Sequence, residues 1–178
     1  MQLIAVSDLH KDQKLTETYT DQLRQIFFES AAIKEFSSPD AKEKFYHRWC
    51  GTYIEHWPDW CLLAVEDQKL LGYLVGCPDS TAALRVLTMP GYDIFSEYFS
   101  QFPAHLHMNI HHSCRGQGVG QELVERFCRT LQREALAGVF IITAAMSRPT
   151  HFYMKNGFNH SYTRDYGSSA LILMGRKF

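Results

Sequence analysis

Apolar residues recur along this chain at two spacings, and the switches between them mark out its elements. From Lys14 to Phe36, Leu15, Tyr19, Leu23, Ile26, Phe27 and Ala31 follow at three and four positions, which predicts a helix. A second helix opens at "SSPDAKEKFYHRW", where Ser38 caps, Pro39 suits the first turn and acids follow. "LIAVS" reads as a strand ahead of both, and "WCLLAVEDQKLLGYLVGC" as a hairpin of buried strands around a polar "EDQK". "DSTAALRVL" is a short helix, and the aromatic "MPGYDIFSEYFSQFP" is expected to run irregularly over the surface. "AHLHMNI" alternates as a strand, with Leu106, Met108 and Ile110 on one face and His105, His107 and Asn109 on the other. After a glycine-rich stretch, Val119, Leu123, Phe127, Leu131 and Ala135 step by four, with Val124 and Cys128 widening the stripe of a long amphipathic helix. "GVFIITAA" is a further buried strand and "RPTHFYMKN" a short helix stopped by Gly157. "FNHSYTRDY" and "ALILMGRKF" close the chain as strands. The order predicts an α+β fold, with helices on a mostly antiparallel sheet.

Composition narrows the class. With 178 residues, 46% apolar and 21% charged, residues 1–178 are expected to form one globular domain. A net charge of −1 gives no reason to expect nucleic acid as a partner. The five cysteines are scattered without a CxxC pair, as expected of reduced thiols. No apolar run approaches the roughly 18 residues of a membrane span, and the N-terminus lacks the basic and apolar regions of a signal peptide. A cytoplasmic location with no membrane partner is the expectation.

The candidate chemistry lies in "CRGQGVGQELVERF", residues 114–127. A glycine-rich turn between a strand and a helix aims free backbone N–H groups at one point, where the helix dipole adds partial positive charge. That is an anion site suited to phosphate, and Arg115 would add a permanent charge beside it. Neither GxxxxGK[ST] nor GxGxxG is present. What stands here is Arg115-x-x-Gly118-x-Gly120, and "FYMKNGF" follows at 152–158, with Tyr153 four residues before Gly157-Phe158. In order and separation these two pieces resemble the signatures of GNAT-type N-acetyltransferases, over roughly residues 60 to 175. The stretch "PAHLHMNIHHSCRGQGVG" further resembles the acetyltransferase-like domain that accompanies O-GlcNAcases and its free-standing bacterial relatives.

The resemblance implies a GNAT-like mixed sheet and acetyl-CoA as co-substrate. It places the pantetheine arm along the backbone of Ile110 and His111. It places the pyrophosphate at the turn of Arg115, Gly116, Gln117, Gly118, Val119 and Gly120. It gives Tyr153 the protonation of the departing thiolate, and a phenol is protonated at neutral pH as that task requires. The base is open between His105 and His107, with Glu66 and Glu97 as further candidates. His105, His107, His111 and His112 also pose a metal question. Two histidines on one strand face supply at most two ligands and no nearby acid has ligand spacing, so no metal is expected. "HWPDWC" and "MPGYDIFSEYF" either line an acceptor pocket or fill core. The family's asparagine seven residues before the tyrosine is here Met146, and its alanine four before is Pro149. The leading expectation is an N-acetyltransferase acting on a small-molecule or protein amine in a ternary complex. Its rivals are a non-catalytic coenzyme A-binding or docking module and a transferase of longer acyl groups. A homodimer, suggested by exposed aromatics and the final strands, is a further expectation.

Overall fold

The computed structural model describes residues 1–9 and 13–178. Seven strands, β1 (Gln2–Ala5), β2 (Leu62–Glu66), β3 (Lys69–Cys77), β4 (Ala104–Ile110), β5 (Gly138–Ala144), β6 (His160–Tyr166) and β7 (Ser169–Lys177), form one mixed, mostly antiparallel sheet in the order β1-β2-β3-β4-β5-β7-β6, flanked by helices. The residues cluster into two compact units. One comprises Met1–Gly76 with His107–Phe127, the other Cys77–Leu106 with Cys128–Phe178.

In the first unit, β1 (Gln2–Ala5) pairs antiparallel with β2 (Leu62–Glu66), and β2 with the first part of β3 (Lys69–Cys77). Asp67 and Gln68 both take positive φ (48° and 62°) to close the β2–β3 hairpin tightly. After the single turn α1 (Val6–Leu9) comes α2 (Gln13–Ser30), which buries Tyr19, Leu23, Ile26 and Phe27 as the spacing predicts; the side chain of Leu15 lies outside the description. The helix stops at Ser30 rather than Phe36, because Lys34 folds back and donates to the carbonyls of Phe28 and Glu29 (3.3 and 2.8 Å), satisfying acceptors that a helix end leaves open. Ser38 caps α3 (Pro39–Tyr46), its Oγ accepting from Ala41 N–H at 3.1 Å. A π-helical turn, His47–Gly51, then joins α3 to α4 (Thr52–His56). Arg24 ties α2 to α3 through two hydrogen bonds to Glu43 (2.8 and 2.7 Å), its guanidinium 4.1 Å from the centre of the Tyr46 ring.

In the second unit, α5 (Ser80–Ala83) is capped by Asp79. The aromatic stretch that follows is not a surface excursion. Its 3₁₀ segment Asp93–Tyr98 and flanks bury Tyr92, Phe95, Phe99 and Phe102, and Phe99 stacks on Phe140 at 5.2 Å. Phe102 lies so close to the sheet that a Cβ on Gly175 would come within 2.6 Å of its ring. Ala104 and His105 at the start of β4 (Ala104–Ile110) pair in parallel with Val139 and Phe140 of β5 (Gly138–Ala144). Strand β5 pairs antiparallel with β7 (Ser169–Lys177), and β7 with β6 (His160–Tyr166). Pro149 opens α7 (Pro149–Lys155), and Gly157 at φ 84° follows it.

The long helix α6 (Val119–Arg133) buries Val119, Leu123, Val124, Phe127, Cys128 and Leu131. Its predicted stripe overruns by one step: Ala135 lies past the end, exposed, at φ 56°.

Candidate functional site

The glycine turn belongs to the first unit. His111 N–H donates to Leu71 O at 2.9 Å, which fastens the end of β4 to β3. Gly72 permits that approach, since a Cβ there would lie 2.5 Å from Ile110 Cδ1 and 3.0 Å from Asn109 O. A 3₁₀ turn, His112–Cys114, leads on to Arg115 in extended conformation. Gly116 and Gly118 then take φ of 79° and 84°, and a Cβ on either would meet nothing within 4 Å. These glycines answer a backbone demand and leave open space on the surface of the turn. Gln117 Nε2 donates to Ser113 O at 2.8 Å and holds the loop together. Helix α6 starts directly after, at Val119 and Gly120, where the first N–H groups of a helix have no intrahelical acceptor. Arg115 is exposed and makes no ion pair with the described residues. Gln117 N–H donates to Cys114 O at 3.4 Å, and the helix-opening N–H groups with the Arg115 guanidinium put donors and a positive charge on one short segment.

His107 stands earlier on the same strand. Its Nε2 is 3.1 Å from Tyr53 Oη, and the rings of Trp49 and Tyr53 meet it edge-on at 5.1 and 5.4 Å. Trp49 and His107 are half-buried, so solvent reaches this aromatic corner. Burial pushes the His107 pKa down to about 4, so the ring is neutral at physiological pH. Two positions further, Asn109 donates to the phenol of buried Tyr73 at 2.7 Å. Trp49, Tyr53 and Tyr73 are partners of this strand that the sequence pattern does not single out. The signal was the aromatic spacing in "HRWCGTYIEHW", and the π turn that carries Trp49 was not legible in it. Within "HWPDWC", Trp57 packs on Tyr53 (5.8 Å) and Trp60 on Phe127 (6.0 Å).

His105 and Tyr153 belong to the second unit. His105 is fully buried, with Nδ1 2.8 Å from Ser80 Oγ and its ring 5.3 Å from Tyr92 and 5.6 Å from Phe140. The Ser80 hydroxyl donates to Pro103 O at 2.7 Å, so His105 Nδ1 is the donor to Ser80. Tyr153 is buried on α7 between Phe152 (5.2 Å) and Phe158 (5.1 Å), and burial raises its pKa. The Tyr92 phenol is raised by burial and by its neighbour Tyr153. Glu66 and Glu97 are engaged elsewhere: Glu66 accepts from the N-terminal ammonium and Glu97 from Arg164, both at exposed positions. Met146, in place of the family's asparagine, is 99% exposed.

Residues 58–160 match the family model described as "Acetyltransferase (GNAT) domain". The chain belongs to the GNAT acetyltransferase family. No curated protein matches it significantly. Among solved structures it is similar to SsHAT (TM-score 0.69, 18% identity, 88% of this chain and 92% of that one). It is also similar to PH1933 from Pyrococcus horikoshii OT3 (TM-score 0.69, 12% identity, 99% and 98% covered). A third similar structure is the PaiA N-acetyltransferase from Thermoplasma acidophilum in complex with coenzyme A (TM-score 0.59, 14% identity, 100% of each chain). At these identities the likeness establishes the GNAT fold. No helix among the described residues is long and apolar enough to cross a membrane.

Proposed function

We propose that this protein is an acetyl-CoA-dependent N-acetyltransferase that moves the acetyl group to a primary amine by direct attack in a ternary complex. The observation that carries the reading is the turn. Two glycines at positive φ, with open space beside them, stand between Arg115 and the unpaired N–H groups that open α6. The pyrophosphate of coenzyme A is the anion this segment suits, and the PaiA relative has coenzyme A bound. The backbone of Ile110 and His111 is assigned to the pantetheine arm.

In the reaction, the amine nitrogen bonds to the thioester carbon, the C–S bond breaks, and the nitrogen sheds a proton. Tyr153 is assigned to protonate the thiolate: its phenol carries the proton at neutral pH, and burial, which raises its pKa, makes it a weaker acid than an exposed tyrosine. His107 is assigned to the nitrogen's proton in preference to His105, whose ring is enclosed in the core and tied to Ser80. His107 is a weak base, but the attacking nitrogen becomes far more acidic once its lone pair is committed to carbon. The cytoplasm fits five free cysteines, four of them buried.

The test is calorimetric titration of acetyl-CoA followed by an assay of thiol release over a panel of amines. Micromolar binding that weakens about tenfold in Arg115→Ala, the loss of one charge-assisted hydrogen bond, is expected. Tyr153→Phe should lower kcat at least tenfold with little change in KM for acetyl-CoA; full turnover in that variant removes the acid role. A second reading, a coenzyme A-binding module without transferase activity, is favoured by Met146 and by the O-GlcNAcase-like stretch before the turn. It predicts binding without amine-dependent thiol release.

A further inference from the structure

We propose that Glu29, His111 and His112 form a binding site for a divalent transition-metal ion, with zinc the best fit to the donor set. The three side chains each offer a ligand atom, and these atoms all lie within 4.8 Å of one another. Glu29 Oε2 is 3.7 Å from His112 Nδ1, and the rings of His111 and His112 are 4.2 Å apart. Ligands about 2.0–2.1 Å from a tetrahedral zinc stand roughly 3.3 Å from one another, so small side-chain rotations close the set. Two imidazoles and one carboxylate select zinc or its neighbours over magnesium or calcium, which prefer all-oxygen sites.

The surroundings already orient the ligands. Gln25 Nε2 donates to Glu29 Oε1 at 2.8 Å, which leaves Oε2 for the ion. Ser113 holds the His111 ring at Nδ1, with Oγ at 2.7 Å and the backbone N–H at 3.4 Å, which leaves Nε2 as the nitrogen to face the ion. Glu29 is in the last turn of α2, where the helix dipole favours a cation. With Glu29 and His112 exposed and His111 half-buried, three protein ligands leave the fourth position for water or an incoming anion. Sequence spacing pointed away from a metal because the carboxylate arrives from a helix far earlier in the chain.

The experiment uses tag-free, chelator-treated full-length protein and the metal alone, so its outcome does not depend on the acetyltransferase reading. Zinc is titrated by calorimetry and cobalt(II) by visible absorption. One equivalent of tight zinc is expected, weakened at least tenfold in His112→Ala and in Glu29→Gln, both with unchanged circular dichroism. The cobalt spectrum should be that of a nitrogen–oxygen site. Absence of stoichiometric binding, unchanged affinity in both variants, or an intense sulfur-to-cobalt charge-transfer band would each overturn the assignment.

Discussion

His107 is neutral because of what surrounds it, and that has a measurable cost in acid. Its pKa of about 4 lies below the ordinary histidine value of 6.5, so between these values the unfolded chain binds the proton that the folded one refuses. The stabilisation is fully present above pH 6.5 and is lost as pH falls towards 4. Denaturant unfolding should therefore show about 2 kcal/mol less stability at pH 4.5 than at pH 7 from this residue. His107→Gln should remove that part of the slope; an unchanged pH dependence would mean that the ring titrates normally. His105 and His107 show where reading residue by residue stops. Alternation along "AHLHMNI" places both on one face, yet one is sealed against Ser80, Tyr92 and Phe140 and the other lies in a solvent-reached corner with Trp49 and Tyr53. Those neighbours come from distant segments, so no local pattern separates the two rings.

At the scale of elements, the turn before α6 is the part whose sequence speaks most directly. Gly118 holds φ 84°, which an L-residue adopts at a cost of about 1–2 kcal/mol. Gly118→Ala should lower the free energy of unfolding by that amount, and it should weaken acetyl-CoA at least tenfold because its methyl would occupy the space assigned to the pyrophosphate. Stability loss with intact binding would place the coenzyme elsewhere. This turn and the buried stripe of α6 were legible because their causes are local: glycines for positive φ, and a three-to-four spacing for one buried face. "MPGYDIFSEYFSQFP" hides its place in the core for the complementary reason. Its aromatics pack from a 3₁₀ segment whose spacing matches neither helix nor strand, and the stretch is core through the burial of Tyr92, Phe95 and Phe99, the stacking of Phe99 on Phe140 and the fit of Phe102 over Gly175. The end of α2 was equally hidden, since the Lys34 side chain that satisfies its last carbonyls lies past the helix.

At the scale of the whole molecule, three continuous elements run from one compact unit into the other: β3 between Gly76 and Cys77, β4 between Leu106 and His107, and α6 between Phe127 and Cys128. Neither unit can unfold completely without breaking a strand and a helix that also serve its counterpart. Heat unfolding should therefore be a single transition, and a ligand held by the turn should stabilise the entire chain. Acetyl-CoA at a hundred times its Kd adds about 2.7 kcal/mol by mass action, which for a chain of this size raises the midpoint by about 5–10 °C. Scanning calorimetry with and without acetyl-CoA measures both effects together. One transition that moves as a whole means that coenzyme binding and folding of both units are coupled, as the shared β4 and α6 require. Two transitions of which one moves would mean that the turn and its unit bind the coenzyme independently of the unit that carries Tyr153.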